Sequence, residues 1–323
     1  MALGRLVARV LLCTSLYGIL SSCGKVQETD PRVPIAFKAE AGTQADTKAP
    51  GTLLSSFSVN TFTLFGTSTE ADGTTSTVFD GYTVRYDGGW FYKGIGSQEL
   101  QYWDKYASGY SFSAVAGGTA DGGTATFTEA TAGDRNFVAL EKDNQVEPSD
   151  FCKVVDLQFS RLLSRVRFAF YEEMADWQVK DISFTLNGTV VTKGDYSVDL
   201  ADGSFSVSNI SSESALDGSV HGILGNTVAT AKAGSFTEVL PYRHTAPMTL
   251  TIHSYTFVDP VNGNEYQFSP ETEVTIPTDK SAWDLNHSYT YVLKVSEAEV
   301  QFALSIDLSI HDWMNISHDT VLE

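Results

Sequence analysis

The chain has 323 residues, and its 40 acidic side chains outnumber 21 lysines and arginines, a formal charge of −19 at pH 7. Such a surface repels nucleic acid and anionic lipid headgroups, which argues against both as electrostatic partners, and the acidic excess instead suits the solubility of an exported protein. The length is enough for two hydrophobic cores without disulfide support.

The first 22 residues carry Arg5 and Arg9, then an apolar run from Val10 to Leu20, and no acidic residue. This is the order of an export signal, too short to span a bilayer comfortably. The closing Leu20-Ser21-Ser22-Cys23 resembles a bacterial lipobox, in which the cysteine thiol takes diacylglycerol and becomes the first mature residue. A lipidated Cys23 is therefore expected to anchor the protein to a membrane, with its bulk outside the cytoplasm. Loss of the signal removes Arg5 and Arg9 and moves the charge from −19 to −21, so attachment rests on acyl chains rather than on a basic patch. Cys13 is discarded with the signal and Cys23 is committed to lipid. No intramolecular disulfide is then expected, and Cys152 reads as a buried, inert thiol.

Residues 23–52 form a polar tether whose apolar exception, Val33-Pro34-Ile35-Ala36-Phe37, reads as one short strand. From Phe57 onward, alternating or aromatic runs are separated by turn dipeptides. Tyr82, Val84 and Tyr86 precede Asp87-Gly88-Gly89; Ile182, Phe184 and Leu186 precede Asn187-Gly188; Tyr196, Val198 and Leu200 precede Asp202-Gly203; Tyr255 and Phe257 precede Asn262-Gly263. Each is a hairpin signal, because Asn, Asp and Gly reach the positive φ of tight turns. Helical periodicity is confined to 172–177 and 212–233, a turn or two at each. The pattern is that of an all-β, antiparallel protein, and its length favours two sandwiches, 53–150 and 151–323, divided within the charged, proline-bearing segment 144–153.

Near the end, Val300, Phe302, Leu304, Ile306, Leu308 and Ile310 alternate without interruption with smaller or polar residues. On one face of a strand the six are worth on the order of 10 kcal/mol if buried, and left exposed they make an aggregation-prone edge. Such a strip is covered either within its own sandwich as the last strand or by another chain through β-augmentation.

Chemical signatures are missing. The six histidines show no helical metal-ligand spacing, and there is no G-x-S-x-G elbow, phosphate loop or H-E-x-x-H motif. The oxygen-rich stretch Asp259 to Glu265 lacks the spacing of an EF-hand and reads as a hairpin turn. Trp90-Phe91-Tyr92 and Tyr102-Trp103 read as cross-strand core pairs in preference to a sugar-stacking platform.

The chain resembles the Bacteroidetes fimbrillins, the major and minor pilin-like lipoproteins. The features that carry the likeness are the lipobox at Cys23, the strand Pro34-Ile35-Ala36-Phe37, the loop ending Asp46-Thr47-Lys48-Ala49, Phe57-Ser58-Val59 with Leu64-Phe65-Gly66, Tyr102-Trp103 before Tyr110-Ser111-Phe112, the block from Phe159 to Val166, and Trp283, Tyr289-Thr290-Tyr291 and Ile310-His311-Asp312-Trp313 in the C-terminal part. Two positions depart from the family: Asp104 stands where proline often follows the tryptophan, and Lys48 where arginine is common. The resemblance implies two transthyretin-like β-sandwich domains in tandem and export to the outer membrane as a lipidated precursor. It also implies removal of the first strand by a protease, at Lys48 or alternatively Arg32, and assembly with other fimbrial subunits by strand exchange. The strip from Val300 to Ile310 would then be the donor strand. No enzymatic activity and no cofactor beyond the lipid on Cys23 are expected. The partners would be fimbrial subunits, the membrane and a host or bacterial surface ligand. The alternative is a monomeric surface lipoprotein that binds glycans through Trp90 or Trp103.

Overall fold

The structure of the protein, a computed structural model, describes residues 32–40 and 60–296, and the backbone of 301–312. The export signal, Cys23, Lys48 and Val300 lie outside the described residues.

The fold is all-β. In chain order, β1 (Phe37–Glu40) is followed by β2 (Thr61–Thr69), β3 (Thr75–Tyr86), β4 (Trp90–Phe91), β5 (Gly109–Ala116), β6 (Thr119–Asp121), β7 (Thr124–Thr131), β8 (Phe137–Ala139), β9 (Gln145–Val146) and β10 (Val155–Arg161). Eight of these form one sheet in the order β1-β10-β8-β5-β2-β3-β4, with β9 also on β5. The chain continues through β11 (Ser164–Glu173), β12 (Gln178–Asp199), β13 (Phe205–Ile223), β14 (Lys232–Ala233), β15 (Thr237–Val239), β16 (Tyr242–Arg243), β17 (Met248–Val258), β18 (Glu265–Phe268), β19 (Thr272–Ile276), β20 (Ala282–Trp283), β21 (His287–Ser296) and β22 (Gln301–Asp312). Strands β11, β14, β15, β21 and β22 make a second sheet; β12, β13, β17, β18 and β19, extended by β6 and β7, make a third.

Three of the expected hairpins form, pairing Tyr86 with Trp90, Val198 with Phe205 and Phe257 with Tyr266. The fourth does not. Asn187-Gly188 lies inside β12, which runs on for 22 residues. Leu186 pairs with Leu216 on one side and Leu250 on the other, and the chain absorbs Gly188, at φ 145, as a bulge. Two neighbouring strands outweigh the local turn tendency of the dipeptide. Most of 212–233 is likewise strand β13, with a single 3-10 turn at Val228–Thr230, and 172–177 is the end of β11 and a bend. Leu216, Val220 and Leu224 recur every four residues, a spacing that a two-residue repeat satisfies as well as a helix does.

Side chains on β12 divide between two cores. Ile182, Phe184, Leu186 and Val190 enter a core closed by Phe168, Phe170, Tyr291 and Leu293 of the second sheet. Val191, Tyr196 and Val198, with Leu200 just after the strand, enter another, shared with Val115 and Val138 of the first sheet. Successive side chains of a strand point to opposite faces, so Val190 and Val191 mark the crossover between these cores. The β12–β13 hairpin thus contributes to two of the hydrophobic cores. The segment 144–153 holds β9 and a 3-10 turn, Pro148–Asp150, and the chain after it re-enters the first sheet as β10, beside β1 and β8.

Cys152 is half-buried against the first core, at φ 65. Among the described strand pairs, β1–β10 and β11–β21 run parallel and the rest antiparallel. Parallel partners need long connections, and β1 and β10 are more than a hundred residues apart.

Candidate functional site

The first strand is a structural part of the first core. Ile35, Phe37 and Ala39 alternate along it and all three are buried, Ile35 to 1% exposure. Phe37 is the hub of an aromatic cluster, 5.4 Å from Phe79 and 5.3 Å from Phe112 between ring centroids, both in edge contact. Edge-to-face rings at such separations add about 0.5–1.5 kcal/mol per pair beyond the area they bury. The intervening Lys38 points outward and pairs with Asp156 at 3.0 Å. The reading of one short strand here is correct in kind; its regular part is Phe37–Glu40, preceded by a bridge from Pro34 to Tyr102.

Two walls hold the strand. On one side β10 runs parallel to it, with Phe37 opposite Val155 and Glu40 opposite Gln158, and the Val155 N–H donates to the Ala36 carbonyl at 2.8 Å. On the other side the Ile35 N–H donates to Gln101 O at 2.9 Å, and the Trp103 N–H to Val33 O at 3.1 Å. The Tyr92 hydroxyl closes the frame, donating to Ile35 O at 2.9 Å while the Gln101 N–H donates to the same hydroxyl at 3.2 Å. Burial raises the Tyr92 phenol above its ordinary value, against the opposing effect of the Gln101 backbone. Gln98 fixes the wall itself, since its amide bonds both backbone groups of Thr83 and the Tyr92 carbonyl. The result is a groove walled by β10 on one side and by the Gln101–Trp103 backbone on the other.

Of the aromatic residues expected in the core, Trp90, Tyr92 and Trp103 pack there, whereas Phe91 and Tyr102 are exposed. Trp103 is 9% exposed and stacks on Phe151 at 5.1 Å, while Trp90 packs against Phe62 at 5.0 Å. Further rings with free surface lie together on and beside the third sheet. There Trp177, Tyr266 and Phe268 are exposed, with Trp177 and Tyr266 5.6 Å apart. Nothing local to Trp177 distinguishes it in the sequence from a core aromatic. The oxygen-rich turn uses its side chains on itself: Asp259 Oδ1 accepts from the Val261 N–H and Asn262 Oδ1 from the Asn264 N–H, each at 2.8 Å.

Of the proposed cleavage positions, Arg32 is exposed just ahead of the strand, so a cut there leaves Val33–Glu40 attached. A cut at Lys48, outside the described residues, would detach it. Phe302, Leu304, Ile306, Leu308 and Ile310 fall on β22, an edge strand paired antiparallel with β21 from Ser296–Gln301 to His287–Asp312. The sequence gives no local sign of Tyr92, Gln98 and β10 as the frame of the groove, because each acts on residues remote in the chain.

The fimbrillin-like family model matches residues 47–313. Among solved structures, a fimbrial protein from Bacteroides vulgatus aligns with 78% of this chain and 92% of its own at 15% identity, with a TM-score of 0.52. An inferred cell adhesion protein from Bacteroides uniformis aligns with 89% of this chain and 100% of its own at 19% identity and a TM-score of 0.40. The fimbrial anchor protein Mfa2 from Porphyromonas gingivalis covers 87% and 97% at 9% identity and a TM-score of 0.27. No curated protein matches the chain.

Proposed function

From a chain that belongs to the fimbrillin-like family, we propose a structural subunit or adhesin component of cell-surface fimbriae that is exported as a Cys23-linked lipoprotein and assembles by strand exchange. In this reading β1 is a provisional occupant of its groove, and cleavage at Lys48 frees it. The observation that carries the proposal is the way β1 sits: at the end of the first sheet's strand order, paired in parallel with β10, it fills a core position through Ile35, Phe37 and Ala39. Removing Ile35 and Phe37 alone re-exposes side chains worth roughly 1.5–3 kcal/mol each. A replacement must therefore supply large apolar residues at every second position.

The run from Val300 to Ile310 has that spacing in the sequence, and its strand occupies an outer edge of the second sheet. An edge strand is the element most easily exchanged between copies, since it leaves one neighbour rather than two. Association with other fimbrial subunits then follows from the same geometry, one copy's final strand completing another's first sheet.

Limited trypsin treatment is the test. Cleavage at Lys48 is expected to convert the protein into oligomers that survive mild denaturant. Cleaved protein that stays monomeric would reject the proposal. The glycan-binding alternative relied on Trp90 and Trp103, and the burial of Trp103 in the first core favours the structural reading.

A further inference from the structure

A cleft of about 670 Å³ opens between the first sheet and the later part of the chain, a volume typical of small-molecule sites. Both of its rims are tied in place. On one, the turn Asp202-Gly203 is docked on the segment after β8. The Glu141 N–H donates to Leu200 O at 2.8 Å, and Gly203, at φ 80, lies so close to Leu140 that a Cβ there would come within 2.7 Å of its Cδ1. On the other rim Asn286, at φ 62, donates its N–H to Leu163 O at 2.8 Å and accepts the Arg161 N–H on Oδ1 at 3.3 Å. Ser164 Oγ donates to the neighbouring Asp284 O at 2.6 Å. A cleft held in this way is preformed, and little order is lost when a ligand enters it.

The rims are mixed in sign. Lys142 uses one N–H on Asp202 O at 2.7 Å and keeps the others, while the Asp202 carboxylate takes the Ser204 N–H on Oδ1 at 2.7 Å. That bond holds the Asp202 carboxyl below its ordinary range, so the group stays an acceptor. Across the cleft Arg243 donates Nε and Nη2 to a single oxygen, Asp284 Oδ1, at 3.2 and 3.0 Å. Both side chains are exposed, which leaves Arg243 Nη1 and Asp284 Oδ2 for a ligand. Each rim thus sets a donor-only cation beside an acceptor-only carboxylate. A hydroxyl, at once donor and acceptor, satisfies both. An ionised ligand would meet a like charge at either rim, and the formal charge of −19 repels anions further. The apolar lining residues Leu140, Phe159 and Leu285 are at most 7% exposed, so no pocket is offered to an apolar side chain or an acyl chain.

We propose that this cleft binds a neutral oligosaccharide, whose vicinal hydroxyls bridge Arg243 and Asp284 at one rim and Lys142 and Asp202 at the other. Gln158 and Ser160 of β10 also line the cleft and offer an amide and a hydroxyl to the sugar. Charge-assisted hydrogen bonds are roughly twice as strong as neutral ones, so the four charged side chains carry most of the affinity. The inference rests on the adhesin arm of the proposed function and gives it a ligand class.

The test screens the full-length, uncleaved chain against an array of neutral, sialylated and sulfated oligosaccharides and titrates the strongest neutral hit by calorimetry. Neutral glycans are expected to bind and their sialylated or sulfated counterparts are not. Asp284→Asn and Arg243→Gln, both at exposed side chains, are expected to weaken binding at least tenfold at an unchanged melting temperature. Trp177→Ala is expected to leave binding unchanged, which separates the cleft from the exposed rings beside the third sheet. In the unmutated protein, saturating glycan is expected to slow hydrogen exchange at the amides of 158–160 and 202–204, a readout that no variant's folding can disturb. An array with no neutral hit, binding lost in Trp177→Ala but kept in Asp284→Asn, or exchange untouched by the glycan would overturn the inference. Fimbrial assembly is read separately, by the oligomers formed on cleavage at Lys48: oligomers without glycan binding would reject this site alone, and glycan binding without oligomers would reject strand exchange alone.

Discussion

The Tyr92 hydroxyl donates a hydrogen bond to the backbone carbonyl of Ile35 across 2.9 Å, joining a residue beyond β4 to the strand that fills the first core. The same oxygen accepts from the Gln101 N–H, so one phenol serves both the groove wall and its occupant. Tyr92→Phe leaves these two backbone groups without that partner in a buried setting. A loss of about 1–3 kcal/mol is expected. Denaturant unfolding of the uncleaved protein measures it, and faster hydrogen exchange at the Ile35 and Val155 amides would place the effect at the groove.

The phenol also makes the fold sensitive to alkali. Burial raises the Tyr92 pKa, and Tyr289 is pushed up to about 12 for the same reason. A raised folded-state value means that the native protein holds a proton that the unfolded chain, titrating near 10, has begun to lose. Stability from these groups is complete below pH 10 and falls as pH rises toward the folded-state values. A thermal-melting series from pH 8 to 12 should show this fall, with a shallower slope in Tyr92→Phe than in the parent.

His244 predicts the opposite limb. Its ring packs edge-on against Trp283 at 4.8 Å and Tyr242 at 4.9 Å, and its Nε2 is buried without a hydrogen-bond partner among the described residues. Burial lowers its pKa from 6.5 to about 4. The unfolded chain therefore binds a proton first as pH falls, and stability is lost from about pH 6.5 down to 4. Urea midpoints measured between pH 7 and 4 should decline less in His244→Phe than in the parent.

Phe37 tests the packing of the strand itself. Phe37→Ala removes the ring in contact with Phe79 and Phe112 and should cost about 3–5 kcal/mol, as large-to-small changes at buried aromatics do. The variant is expected to unfold at lower denaturant and to lose its first strand to trypsin faster than the parent. Lys38→Ala, which breaks a half-exposed ion pair with Asp156, should change stability by less than about 1 kcal/mol.

Much of this fold was legible in the residues. Asp-Gly and Asn-Gly turns between alternating runs located three hairpins, and Ile35 and Phe37 marked the first strand, because these signals are local. Asn187-Gly188 misled for the same reason: its neighbours Leu186 and Val190 find partners on strands that a local reading does not see. The parallel pairing of β1 with β10 has no sequence signature, since it joins residues more than a hundred positions apart through backbone groups that every residue carries. Tyr92, Gln98 and Asn286 escape notice likewise. Their roles lie in where they point, and a tyrosine or an amide in a polar loop announces nothing.

The central claim is that the place of β1 is filled by a strand from another copy once β1 has gone. Hydrogen exchange at the Val155–Gln158 amides, measured in cleaved oligomers whose subunits are shown by mass to lack residues 33–40, tests it directly. The account predicts the odd-numbered amides of that segment, Val155 and Leu157, to be as protected as in the uncleaved protein. Free exchange at those amides in such oligomers would contradict it.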